Sequence, residues 1–337
     1  MAGLAAGRAL RARFPDWAIT IYEKSRGVGG RVATRRRDGF TFDHGAQCIK
    51  SPSPAVERLI THELASDTLR RIALPTWTFD AANTIAEGDA AQNAAQNYTY
   101  ADGNNRLGKL LADGLDVRLA MRVAALRGTG DEGRWALLDL AGTTIGEADL
   151  VLLTPPAPQI VELLNASDLD ADAAALLAAL GEARYRRCIS LALAYDRLLA
   201  RPFYALVNSD RAHPISWLAL EHAKGAERCP PEHSLLIAQM AAQWSVDHYE
   251  TPLDALTPLI TEYVGALLGD DLGAPLWADL QRWRYALPDA AADFDALNRL
   301  GAPHGLFFAG DYTDTKGRIH LAIERGWQVA DLIAAAQ

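Results

Sequence analysis

Gly3-Leu4-Ala5-Ala6-Gly7, Trp17-Ala18-Ile19-Thr20-Ile21-Tyr22-Glu23 and Lys24-Ser25-Arg26-Gly27-Val28-Gly29-Gly30-Arg31 are the stretches that decide the fold. On a helix, Gly3 and Gly7 sit four apart and leave one face bare, where another backbone can come close. That helix runs to about Arg13, and Phe14-Pro15-Asp16 turns the chain. Residues 17–22 then read as a short buried strand ending at Glu23. This is the second half of a βαβ unit. In such a unit the third glycine lets helix pack on strand, and a carboxylate about 20 residues later accepts hydrogen bonds from ribose hydroxyls. Glu23 stands at that distance from Gly3. The pattern implies an adenine dinucleotide. A carboxylate there repels a 2′-phosphate, which favours FAD or NAD over NADP. A small-residue helix packed on a sheet, with an ordinary terminal glutamate, gives the same pattern.

The first half of the unit, an apolar strand and a Gly-rich turn, does not stand ahead of Gly3. Met1 therefore reads as an internal methionine, with about 10–15 further residues expected upstream. The expected consequences are an open slot beside the strand 17–23, unpaired backbone along it, and weak FAD retention.

At 337 residues, two domains are expected. Half the residues are hydrophobic, enough for large cores. The net charge of −9 argues against nucleic acid as a partner, because phosphate counterions are displaced by cations. No apolar run approaches the ~20 residues of a membrane-spanning helix. Cys48, Cys188 and Cys229 lie far apart, which suggests neither a disulfide framework nor a metal site and is consistent with a cytoplasmic location.

Along the chain, residues 24–37 read as a loop and Phe40-Thr41-Phe42-Asp43 as a strand. Residues 54–72 read as a helix, 80–97 as a surface loop or weak hairpin, and 104–111 as the start of a helix. Strands are expected at 117–126, 135–140, 149–154, 188–195, 215–220, 234–240 and 305–311. Helices are expected over 159–181, 252–268 and 318–335. In the loop after Glu23, Gly29 and Gly30 let backbone approach a pyrophosphate and Arg31 can neutralise it. Trp283 and Tyr285, two apart on an expected strand, share a face as a substrate wall or as core.

Glu23 with Arg26-Gly27-Val28-Gly29-Gly30-Arg31, then Asp43-His44-Gly45-Ala46-Gln47, resembles the FAD-dependent amine-oxidase-type flavoproteins, and within them the bacterial renalase-like oxidoreductases. Leu152-Leu153-Thr154-Pro155-Pro156-Ala157-Pro158-Gln159, Gln243-Trp244-Ser245, Arg282-Trp283-Arg284-Tyr285-Ala286 and Phe308-Ala309-Gly310-Asp311 extend the resemblance over nearly the whole chain. It implies an α/β fold: a Rossmann-like FAD-binding domain assembled from 1–50, 101–160 and 295–337, plus an α+β substrate domain from 51–100 and 161–294.

The resemblance also implies roles. Gly3 belongs to the pyrophosphate fingerprint, and Glu23, with Lys24 beside it, holds the adenosine ribose. Gly29, Gly30 and Arg31 line the pyrophosphate and flavin approach. Gly45, Ala46 and Gln47 run beside the flavin ring, and Val123 holds the adenine through its backbone. Gly310 and Asp311 meet the ribityl chain or pyrophosphate, and the helix from Ile319 aims its dipole at the flavin. Glu221, Gln239, Trp283 and Tyr285 are the pocket candidates, with Trp244, Tyr312 and His320 as further ones. His44 and His320 also read as satisfied, partly buried histidines; His62, His213 and His248 read as surface residues. Cys48 reads as a buried thiol or as a contact or tether to the flavin.

The chain departs from the resembled pattern at Glu221-His222-Ala223-Lys224, Gln239, Gln281 and Gly317-Arg318-Ile319-His320-Leu321-Ala322. The expected reaction moves a hydride from an amine or dihydronicotinamide-type donor to flavin N5, with dioxygen accepting the electrons to give hydrogen peroxide. The alternatives are a degenerate flavin-binding protein without turnover and an NAD-dependent dehydrogenase.

Overall fold

The structure is a computed structural model and describes residues 1–129, 134–169 and 173–336. The chain forms two compact units, one from 1–30, 108–185 and 287–337, the other from 31–107 and 186–286.

In the first unit, helix Ala2–Arg13 lies against the C-terminal helix Ile319–Ala335. Gly326 sits at their crossing, where a Cβ would come within 2.4 Å of the Ala2 carbonyl oxygen. The bare glycine face expected of the first helix is used for packing. A Cβ at Gly3 would meet Thr154 Oγ1 at 3.2 Å, and one at Gly7 would meet Ile21 Cδ1 at 3.2 Å. Strand Thr20–Glu23 pairs in parallel with Asp116–Leu119, and Val151–Leu153 pairs in parallel with Leu306–Phe308. Each pair is a separate two-stranded sheet among the described residues. An antiparallel meander of Ala125–Gly128, Trp135–Leu138 and Thr144–Ala148 completes the strands.

The second unit is built on a seven-stranded sheet. Its spatial order is Trp277–Ala290, Arg184–Tyr195, Ser234–Met240, Ile215–Leu220, Ala205–Asn208, Thr76–Phe79 and Ile85–Ala86. One face carries Leu191, Leu193, Leu218 and Leu236 against Leu256, Ile260 and Val264 of helix Leu253–Leu268. The other carries Ala192, Ala194, Ala219 and Ile237 against Phe40 and Phe42. That alternation is the period-2 pattern of a sheet covered on both sides.

Several boundaries differ from expectation. Residues 31–50 and 101–107 belong to the second unit because Phe40 and Phe42 pack into its core; 161–185 and 287–294 belong to the first, where Leu176 and Leu180 pack with Leu153 and Phe308. The loop over 24–37 ends in a strand, Thr34–Arg37, paired with Phe40–Asp43. Asp38 at φ 50° and Gly39 at φ 83° make the two-residue turn between them, the left-handed pair a tight hairpin prefers. The helix over 54–72 is only Pro54–Arg58 plus a π-turn, Leu59–Glu63, before strand Leu69–Arg71. Residues 80–97 hold strand Ile85–Ala86 and helix Ala90–Ala94. The strand over 117–126 breaks at Ala120, φ 55°, where the Ala120 and Met121 N–H groups turn to Ser25 O and Glu23 O. The helical stretch over 159–181 is two helices, Ala157–Asn165 and Ala173–Gly181; residues 170–172 lie outside the described residues.

Asn298, 4% exposed, ties its helix to the sheet: its amide donates to Phe294 O and Phe308 O and accepts from Phe308 N–H. Asn298→Leu should destabilise the protein by about 2–4 kcal/mol, because it strands a buried N–H and carbonyls. Urea unfolding checks this; a loss under about 0.5 kcal/mol would contradict it.

Candidate functional site

In the first unit the structure gathers most of the expected cofactor residues into two neighbourhoods. Glu23 ends its strand, and its Oε1 accepts the Ser25 N–H at 2.8 Å. The Met121 N–H to Glu23 O bond, 3.0 Å, holds the segment leading to Val123 alongside. Lys24 Nζ donates to Gln159 Oε1 at 3.1 Å. Gly29 and Gly30 have φ of 105° and 59°, the left-handed region where glycine costs least. A Cβ at Gly30 would meet nothing within 4 Å, whereas the Gly29 Cα lies 3.2 Å from where a Gly108 Cβ would be.

The second neighbourhood centres on Thr154. Gly3 abuts its side chain, and a Cβ at Gly310 would lie 3.4 Å from its carbonyl oxygen. Asp311, 8% exposed, accepts the Tyr185 hydroxyl at 2.8 Å, and its Oδ2 lies 3.6 Å from where a Gly317 Cβ would be. Ile319 opens the C-terminal helix just beyond. A carboxylate at a strand end, a glycine at Gly30 with open space beside it and a helix start are the donor set an adenine dinucleotide needs, so these residues fit FAD. Tyr312 is not a pocket residue: it is fully buried and its hydroxyl donates to Leu153 O at 2.7 Å.

In the second unit the segment Asp43–Gln47 is held almost atom by atom. Trp283 Nε1 donates to His44 O at 2.9 Å, Gln239 Nε2 to Gly45 O at 2.7 Å, and Asn104 Nδ2 to Ala46 O at 3.1 Å. The Ala46 N–H donates to Arg31 O at 3.0 Å. Gly45 must be glycine, since a Cβ would fall 2.0 Å from Arg31 O. Arg31 Nη1 donates to the carbonyls of Tyr285 and Ala286 at 3.0 and 3.2 Å. Gln47 turns inward: its amide donates to Asp43 O and Gly45 O and accepts from Lys224 Nζ.

Beneath this segment lies a buried ion cluster that sequence reasoning missed. Arg228 donates to Asp43 at 2.7 Å, and Lys224 donates to Glu221 at 2.6 Å. All four side chains are sealed from solvent. Glu221 is therefore not a pocket wall but a member of this cluster. Burial raises the Asp43 carboxyl, but Arg228, Lys224 and bonds from Thr34 and Asn104 hold it below the usual range. Burial lifts Glu221 above its usual value despite Lys224 and Arg228. Nothing in the sequence marks Arg228 or Asn104; their role depends on contacts more than 50 residues away.

Among the other expectations, Trp244 stacks on His248 with centroids 4.0 Å apart and packs against the helix-side core. His213, expected at the surface, is 6% exposed because its Nδ1 accepts the Ile215 N–H. Cys48 is half-buried, 3.4 Å from the Tyr204 hydroxyl. His44 is 7% exposed and stacks on Trp283, with Nδ1 lacking a partner among the described residues.

Burial, then the nearby Arg35 charge, lowers the His44 pKa from 6.5 to about 4. A depressed folded-state pKa contributes stability above the unfolded value that is lost as pH falls. Wild type should therefore lose roughly 3 kcal/mol from this group between pH 6.5 and pH 4. His44→Phe, which keeps the stack, should flatten that part of the profile in urea unfolding. Identical acid limbs would refute it.

The family model "Flavin containing amine oxidoreductase" matches residues 79–334, and "NAD(P)-binding Rossmann-like domain" matches 1–62. Among solved structures, an Exiguobacterium sp. 255-15 protein provisionally named a protoporphyrinogen oxidase is 18% identical, with TM-score 0.78, covering 100% of this chain and 97% of that one. Cyclohexylamine oxidase from Brevibacterium oxydans is 12% identical with TM-score 0.75, over 99% and 96%. Wild-type putrescine oxidase bound to putrescine is 14% identical with TM-score 0.73, over 99% and 97%. At these identities the structures establish the shared fold. The family match covers most of the sequence: the chain belongs to the flavin-containing amine oxidoreductases and is an FAD-dependent oxidoreductase.

Proposed function

We propose that this protein oxidises a small amine or dihydronicotinamide-type donor in the cytoplasm, with dioxygen as acceptor. The observation that carries the reading is the Glu23 strand end with Val123 held beside it, followed in the chain by the left-handed Gly29 and by Gly30 with open space beside it. Bound at these residues, a flavin would supply two-electron redox chemistry between the donor and dioxygen.

The chain's own residues do the rest. Glu23, with Lys24 beside it, accepts the ribose hydroxyls. Gly3, Gly29, Gly30 and Arg31 serve the pyrophosphate and flavin approach, and Val123 the adenine. Gly310, Asp311 and the helix start at Ile319 serve the ribityl end. Gly45, Ala46 and Gln47 form a fixed backbone platform beside the ring. Trp283, Tyr285 and Gln239 bind and orient the donor and exclude water; such oxidations need little acid–base help.

Glu23→Ala should lower FAD affinity about tenfold or more, since charge-assisted hydrogen bonds of about 1.5–3 kcal/mol are lost. Asp311→Ala should also lower occupancy. Flavin absorbance per protein checks both, and wild-type occupancy in both would refute the cofactor assignment. Trp283→Phe and Tyr285→Ala should keep the flavin and alter the rate at which a donor bleaches its visible band under anaerobic conditions. A yellow protein that no amine or dihydronicotinamide bleaches would refute the oxidase reading.

A further inference from the structure

We propose that an open groove on the second unit, between helix Leu253–Leu268 and the segment 270–278 that follows it, docks an amphipathic basic helix of a partner protein. The groove has a volume of about 1070 Å³, and none of the residues assigned above to FAD or to the donor lines it. Its shape comes from the way the helix ends. Gly269, at φ 63°, is a left-handed cap, and the chain folds back so that the Asp270 N–H donates to Gly265 O at 3.0 Å. Leu272 then packs into the helix-side core, and Gly273, Ala274 and Pro275 form the second wall.

The groove is accessible. Leu253, Pro258, Glu262, Ala266, Asp271 and Ala274 line it and are exposed, and the exposed Leu276 stands beside it in the chain. The lining is mostly apolar with carboxylates among its exposed members. An apolar floor with a polar rim is the anatomy of a protein interface.

Its charge is one-sided. Asp254, Glu262, Asp270 and Asp271 line the groove, and no lysine, arginine or histidine does. Arg201 engages Asp270 at 2.6 Å, whereas Asp254, Glu262 and Asp271 have no cationic partner among the described residues. Arg37 lies over the Trp277 ring but is paired with Asp38. Three unpaired carboxylates around an apolar floor suit cations carried on an apolar stem. Length then decides the occupant. The helix supplies lining residues from Leu253 to Ala266, about 20 Å at the rise of an α-helix. That outreaches a small cation and matches about four turns of a helix laid in the groove. A second copy of this chain fits poorly, because its net charge of −9 repels the same carboxylates.

The test uses the purified holoprotein and a dye-labelled peptide of leucine and lysine at helical spacing, with binding read by fluorescence anisotropy. Two control peptides carry glutamate for the lysines or serine for the leucines. The leucine–lysine peptide should bind wild type about tenfold or more tightly than either control. Glu262→Lys should weaken it about tenfold and Glu262→Gln severalfold, with the melting temperature unchanged because residue 262 is exposed. Glu182→Lys, the same change of charge at an exposed position on the first unit, should leave binding unaltered. No uptake of the leucine–lysine peptide by wild type, equal binding of the serine control, or equal losses in Glu262→Lys and Glu182→Lys would overturn the inference. So would sedimentation showing a wild-type dimer that Glu262→Lys abolishes, since the groove would then belong to a second copy.

Discussion

The interaction on which the second unit depends is the sealed set of Asp43, Glu221, Lys224 and Arg228. Removing charges from water costs several kcal/mol each, and only close opposite charges with further hydrogen bonds offset that cost. The cluster meets much of that condition: Arg228 also donates to Thr99 and Thr41 O and Lys224 reaches Gln47, while Glu221 Oε2 and Arg228 Nε have no hydrogen-bond partner among the described residues. Because an unmatched buried charge would be so costly, the strand Phe40–Asp43 and the turns at 221–228 have one mutual arrangement. The segment from His44 to Gln47 inherits its position from that arrangement, and Trp283, Gln239 and Asn104 then take up its carbonyls.

The first unit is organised by a different constraint, close packing at glycines. A Cβ at Gly3, Gly7 or Gly310 would press on the side chains of Thr154, Ile21 or Tyr312 within 3.4 Å, and one at Gly326 on the Ala2 carbonyl oxygen. Asn298 and Tyr312 supply buried polar ties there. One unit therefore presents small residues and a carboxylate at a strand end, which suits phosphates and sugar hydroxyls. The other presents a fixed polar segment over a mixed aromatic and polar sheet face, which suits a small organic donor.

His44 illustrates how environment sets chemistry. The imidazole is stacked and buried beside a cation, so it stays neutral well below its usual titration range. A neutral ring is a hydrogen-bonding and packing group, and its neighbour Gly45 is the point where three side chains and Arg31 O converge.

Much was legible in the sequence. The glycine spacing from Gly3 to Gly7, the apolar run ending at Glu23 and the alternation on Trp283 and Tyr285 are local patterns, set by helical and strand periods. They determined the α/β class and the packing face of the first helix. What only the tertiary structure decided were the elements whose partners are distant. Residues 54–72 carry helical composition, yet 69–71 became a strand because Tyr98, Thr99 and Tyr100 offer it a ladder. Glu221 has the composition of a pocket acid but lies in an ion cluster, because Lys224 is three residues away and Asp43 and Arg228 are brought in by the sheet. Ser190, Gln239 and Trp217 stand opposite one another on three strands whose register no local pattern specifies; the alignment exists only once backbone hydrogen bonding has set it.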